Sequence, residues 1–146
     1  MTSSPSHPDD RIPFRQHLGI RVVAAGDGRA TLAMPWRPEL CNRFANVHGG
    51  ALATLVDGAM SNAILSALPP GDGIGGTIEL SIRFLRPARG DVRAEGRALR
   101  VGGRIAFGQA DVYDGEGRLV ATAQGSYVLE RGRSPEGAAA AAGTRR

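Results

Sequence analysis

Residues 46–60 read NVHGGALATLVDGAM, and the segment they open runs to Leu68 before Pro69-Pro70 stops it. Nearly every position from Gly49 to Leu68 is small or apolar, on all sides of a 3.6-residue repeat. That pattern predicts a long helix buried on several sides rather than along a single stripe. A long, curved sheet wrapped around the helix would bury it in this way. Asp57 is the one carboxylate in the segment, among alanine, leucine, valine and methionine. A buried carboxylate costs free energy unless it is hydrogen-bonded or paired, so its presence asks for a reason.

The flanking sequence supplies the sheet. RIPFRQHLG predicts a short helix ended by Gly19, and IRVVAAGDGRATLAMPW predicts two strands around an Asp27-Gly28 turn. After Pro70 the period changes from 3.6 to 2. Ile78, Leu80, Ile82 and Phe84 alternate with Thr77, Glu79, Ser81 and Arg83, giving one apolar and one polar face. Further strands follow Gly90, the Gly102-Gly103 turn and the DGEG turn at 114–117. Short hairpin links imply an antiparallel sheet. The expected class is α+β, one long helix wrapped by five to six antiparallel strands. The folded domain is expected at 12–130, after a flexible segment at 1–11 and before a low-complexity, disordered tail at 131–146.

Composition excludes several functions. The chain has 146 residues and a net charge of +4, with arginine and no lysine as its basic residue. The arginines do not form a stripe interleaved with aromatics, so nucleic acid is not the expected partner. A single cysteine, Cys41, rules out a disulfide framework and a cysteine-based zinc site, and no metal is expected. The Gly50–Leu68 run approaches membrane-spanning length but carries Asp57 and Asn62, which are costly in a bilayer. No membrane span and no secretory signal are expected, and the expected location is the cytoplasm. GDGIGG at 71–76 follows a helix and precedes a strand, the reverse of a dinucleotide motif, and is read as a loop.

The helix start offers chemistry. Its first amides lack internal partners and carry the positive end of the helix dipole. Gly49 and Gly50 have no side chain to block a ligand, so their N–H groups can face a carbonyl oxygen that becomes an oxyanion. A flexible start, or close packing on a strand, is the structural alternative. For Asp57 the alternative is a hydrogen bond from a neighbouring strand or from Ser61. Eight residues separate Gly49 from Asp57, about 12 Å along the axis, whereas reacting groups must converge within roughly 3–3.5 Å. One helix cannot bring both to the same carbonyl. If they cooperate, a second copy supplies the other half, which predicts a homodimer with two composite sites. Asn42, Asn46 and His48 add polar groups just before the helix.

CNRFANVHGGALATLVDGAMSNA (41–63) and GGTIELSIRFLRPARGDV (75–92) together resemble the hotdog-fold acyl-CoA thioesterases, specifically the phenylacetate-pathway (PaaI-type) group. The resemblance covers most of residues 14–130. It implies that Asp57 is the catalytic carboxylate, acting as nucleophile or general base, and that the Gly49 amide polarises the thioester carbonyl. It further implies that Asn42 places water or substrate, that His48 orients the group, and that Thr77 assists the water. Gly50 and Ser61 are assigned to substrate binding. Arg86, Arg89 and Arg104, near strand ends or turns, are the candidates for the phosphates of coenzyme A. The implied substrate is an acyl- or aryl-CoA thioester, with no separate cofactor, and the implied assembly is a homodimer pairing into a homotetramer. Met60, Ile64, Leu85 and Phe44 are the expected lining of the acyl pocket. A hotdog hydratase or dehydratase, a non-catalytic acyl-CoA-binding domain, and a Cys41–His48 nucleophile are the alternatives.

Overall fold

The computed structural model describes residues 11–132. The expected flexible segment at 1–11 and tail at 131–146 lie outside the described residues, except for Arg11, Arg131 and Gly132. Those last two belong to the sheet end. Arg131 pairs with Asp72 and donates to the carbonyls of Gly102 and Gly103, and the Gly132 N–H donates to Asp72.

A short helix, α1 (Pro13–Leu18), ends at Gly19 in the left-handed conformation. Strands β1 (Arg21–Gly26) and β2 (Arg29–Met34) then form a hairpin. Its turn has positive φ at both Asp27 (51°) and Gly28 (74°), as a tight hairpin requires. The long helix α2 spans Gly49–Ser66. Strands β3 (Gly73–Phe84), β4 (Val92–Val101), β5 (Ile105–Tyr113) and β6 (Leu119–Glu130) complete one antiparallel sheet, ordered β1-β2-β4-β5-β6-β3. Residues 73–76, read from sequence as loop, instead begin β3.

Helix α2 lies in the concavity of the sheet. Leu52, Leu55, Val56, Ala59, Met60, Ala63 and Ile64 are buried around it, against Leu32, Ala94, Val112 and Ala123. Three glycines allow the close approach. A Cβ at Gly96 would stand 2.5 Å from the Ala59 carbonyl carbon. A Cβ at Gly108 would stand 3.0 Å from Met60 Cβ, and one at Gly125 would stand 3.1 Å from Met60 Cε. Gly108 and Gly125 face each other across β5 and β6. The row of missing side chains is the groove in which the helix rests.

One irregularity in β3 matters for the site. Thr77 pairs with Tyr127 and Glu79 pairs with Ser126, so Ile78 is an extra residue in a β-bulge. A bulge shifts which face later side chains occupy. Leu80 and Ile82 point to the core face, as the alternation predicts. Thr77, expected on the polar face with Glu79 and Ser81, shares the inner face with Tyr127 instead, and Ile78 is exposed.

Candidate active site

Several of the polar groups expected from sequence line two separate clefts. The first, of about 290 Å³, is lined by Asp57, Ser61, Thr77 and Tyr127 together with Arg15 and Leu65. Thr77 Oγ1 donates to Asp57 Oδ1 at 2.8 Å, and the Tyr127 hydroxyl donates to the same oxygen at 3.0 Å. One carboxylate oxygen is thus clamped by two donors from two strands. Among the described residues no donor reaches the other, Oδ2, which remains available for chemistry.

Sequence reasoning did not single out Tyr127, which lies on β6. The available signal was an aromatic hydroxyl on an otherwise inward-facing stripe, since a buried tyrosine normally finds a polar partner. Burial first, and then the adjacent Asp57 carboxylate, hold its hydroxyl well above the ordinary phenol range. It therefore stays protonated and acts as a donor. Arg15, on α1, was also missed. It is buried and donates through Nη2 to Ser61 Oγ at 3.0 Å. Ser61 in turn donates to the Gly58 carbonyl. The proposed Ser61 contact to Asp57 is therefore absent, although Ser61 lines the same cleft.

The second cleft, of about 390 Å³, is lined by Asn42, Gly49, Phe84 and Arg86, with Phe44 and Leu85 at its rim. His48 is the N-cap of α2, and its Nδ1 accepts the Gly50 N–H at 2.9 Å. In the neutral ring this places the proton on Nε2. The Gly50 amide, expected to bind substrate, is thus engaged by the chain itself. The Gly49 N–H has no acceptor among the described residues. Asn42 Oδ1 accepts from the Phe44 and Asn46 amides, so its oxygen orders the loop and its NH₂ is the group left for a ligand.

Met60 and Ile64 are fully buried under the sheet and line neither cleft. They pack over Gly108, because the helix turns that side toward the sheet. The three arginines do not gather. Arg86 lies where β3 ends beside Val120, with the exposed Arg89 three residues further on. Arg104 lies at the other end of β6, where the Leu129 N–H donates to its carbonyl. Cys41 Sγ donates to the Arg37 carbonyl while His48 Nδ1 serves Gly50, so no cysteine–histidine pair forms. Among the described residues no cluster of metal ligands occurs, and no helix is long and apolar enough to cross a membrane.

A single long helix held in one antiparallel sheet of six strands is the hotdog architecture. The chain belongs to the thioesterase superfamily, which its residues 44–121 match. It is 39% identical over 124 residues to a Halobacterium salinarum protein named "Putative esterase", covering 78% of this chain and 82% of that one. It is 29% identical over 123 residues to human acyl-coenzyme A thioesterase 13, covering 82% and 85%. Among solved structures, a mutant of the phenylacetic acid degradation protein PaaI from Thermus thermophilus superposes with a TM-score of 0.71 at 26% identity. That match covers 80% of this chain and 97% of the other.

The clamp on Asp57 has a measurable consequence. Tyr127→Phe is expected to lower kcat for thioester hydrolysis about tenfold, in line with the ~1.5 kcal/mol of one hydrogen bond to a charged group. KM should change little, because the hydroxyl positions Asp57 rather than substrate. A rise in KM at constant kcat would show that Tyr127 binds substrate instead. Thr77→Val should behave in the same way.

Proposed function

We propose that the chain is a cytoplasmic acyl-CoA thioesterase of the PaaI type that works as a homodimer, pairing further into a homotetramer. The observation that carries this reading is the division of one site between two clefts. Asp57 and Gly49 lie on one straight helix, about 12 Å apart along its axis, and line different cavities. With two such helices antiparallel, the Asp57 cleft of one protomer meets the Gly49 cleft of its partner. Phe44, Phe84 and Leu85, exposed at the rim of the Gly49 cleft, give that meeting an apolar surface.

In the composite site the acyl carbonyl accepts a hydrogen bond from the Gly49 N–H, which carries the positive end of the helix dipole. Asp57 Oδ2 then attacks the carbonyl carbon, or takes a proton from a water that does so. In the first route the C–S bond breaks as the Asp57 mixed anhydride forms, the thiolate takes a proton from solvent, and water hydrolyses the anhydride to free acid. In the second the attacking water supplies the acid's oxygen and Asp57 passes its proton to the departing thiolate. Thr77 and Tyr127 hold the carboxylate in aim. The Asn42 NH₂ is placed to position water or substrate, and Arg86 is the arginine placed for the coenzyme A phosphates. His48 caps the helix, which keeps Gly49 at its first position. No cofactor enters the scheme. Commitment of His48 Nδ1 to Gly50 also disfavours the hydratase alternative, which would use a histidine at the reacting carbons.

Thiol release from a panel of acyl- and aryl-CoA esters tests the activity, and no release from any of them would refute it. Subunit mixing tests the shared site. Gly49→Pro deletes the amide at the first helical turn, where proline is tolerated, and should be inactive alone, as should Asp57→Asn. Mixed and exchanged, the two should recover about a quarter of wild-type activity, since half the dimers carry one intact site of two. Proven subunit exchange without recovery would refute the composite site.

A further inference from the structure

Phe84 breaks the burial pattern of its strand. The alternation of β3 gives it the face of Leu80 and Ile82, which pack against the core, yet it is 53% exposed and lines the Gly49 cleft. Its backbone is held by the sheet. Phe84 pairs with Ala121 of β6, and the next N–H, that of Leu85, donates to the Val120 carbonyl at 2.8 Å. The ring so placed meets the first residue of α2. A Cβ at Gly49 would stand 3.1 Å from Phe84 Cζ and 3.3 Å from Cε1. The end of the ring fills the place of the side chain that residue 49 lacks.

Gly49 has much to gain from this contact. Glycine has the widest choice of backbone conformation, and helix ends fray. A donor to an oxyanion is effective only when it is held in place before the charge develops. The His48 cap fixes the Gly50 N–H, one residue along. Gly49 has no side chain of its own to pack, and the Phe84 ring supplies that packing from the strand. The ring also keeps water from one side of the residue, and drier surroundings strengthen a hydrogen bond to developing charge.

We propose that Phe84 is a positioning residue for hydrolysis, its ring end holding the Gly49 N–H where the thioester carbonyl meets it. The proposal rests on the thioesterase reading above. Phe84 acts through Gly49 and not on the reacting atoms, so it governs kcat more than KM. The same contact accounts for glycine at 49. Alanine there keeps the N–H but sets a methyl against the ring, and either the ring or the helix start must shift.

The test measures kcat and KM by thiol release for the wild type, Phe84→Ala, Gly49→Ala and the double variant. The substrate is the ester that the wild type hydrolyses fastest in a panel from acetyl-CoA to palmitoyl-CoA, with phenylacetyl-CoA included. Each single variant is expected to lower kcat about tenfold, less than the roughly 10²–10³-fold that deleting an oxyanion donor costs. KM should stay within about twofold of the parent. In the double variant the methyl takes the room that the ring has left, so kcat should exceed that of both single variants, where independent effects would multiply. An unchanged kcat in Phe84→Ala overturns the proposal. A higher KM at constant kcat overturns it too, by making the ring part of the substrate's seat, and so do effects that multiply in the double variant. A loss of kcat that disappears at higher protein concentration overturns it by giving Phe84 to the subunit interface. Phe84→Leu, apolar but shorter than the ring, provides the reading if Phe84→Ala fails to fold. No release from any ester by the wild type overturns the thioesterase reading together with this one, whereas wild-type release with an unchanged Phe84→Ala overturns this one alone.

Discussion

Asp57→Asn is expected to lower kcat for thioester hydrolysis by about 10²–10⁴-fold while leaving the fold intact. The structure explains why the two effects separate. Asp57 Oδ1 is held by Thr77 and Tyr127, and an asparagine presents a carbonyl oxygen that accepts both of those bonds. The change falls on the other atom. Oδ2 becomes an NH₂, which neither attacks a carbonyl carbon nor takes a proton from water. The variant should therefore show a melting temperature within a few degrees of the parent and a kcat near background. Thiol release under saturating ester and thermal unfolding monitored by circular dichroism measure the two halves. Full activity would place the reacting group elsewhere. Lost activity with a large drop in stability would make Asp57 a structural carboxylate instead.

The architecture was legible because it rests on long, strongly patterned segments. The all-round apolar helix, the change of period after Pro70, and the Asp27-Gly28 and Gly102-Gly103 turns each signal locally what they become. So does the spacing of Gly49 and Asp57, since helical rise is fixed. What the sequence did not reveal depends on pairing between distant strands. The bulge at Ile78 has no signature within β3, whose alternation reads smoothly through it. It appears only when Thr77 and Glu79 are set against adjacent residues of β6. Yet that bulge turns Thr77 inward to Asp57. Tyr127 was hidden for the same reason, since only the fold carries β6 beneath the helix. The His48 cap is a local bond that sequence could have raised, because side chains preceding a helix compete for its first amides. Met60 and Ile64 were placed in the pocket because they share a helix with Asp57. Which of their sides meets the sheet is decided by Gly96, Gly108 and Gly125, residues far away in the chain.

Those glycines lead to the largest stability effect expected. Gly96→Ala should destabilise the fold by about 3 kcal/mol or more, at the upper end of what overpacking costs. The added methyl would collide with the backbone carbonyl of Ala59, and a backbone carbonyl inside a helix has no rotamer to change. The helix must lift from the sheet or the strand must bend away. At Gly125 one of the two nearest groups is the mobile end of the Met60 side chain, although the Glu79 carbonyl on the other side is fixed. Gly125→Ala should therefore cost less than Gly96→Ala. With total stabilities of about 5–15 kcal/mol typical of folded domains, the Gly96 substitution removes a large share, readable as a fall in the urea midpoint. It should also reach the site. Lifting α2 near Ala59 moves Asp57, two residues earlier, away from the strands that carry Thr77 and Tyr127. Residual folded protein should thus have a lower kcat than the parent. A stable Gly96→Ala variant with unchanged kcat would mean that the helix does not rest on the sheet where these glycines place it.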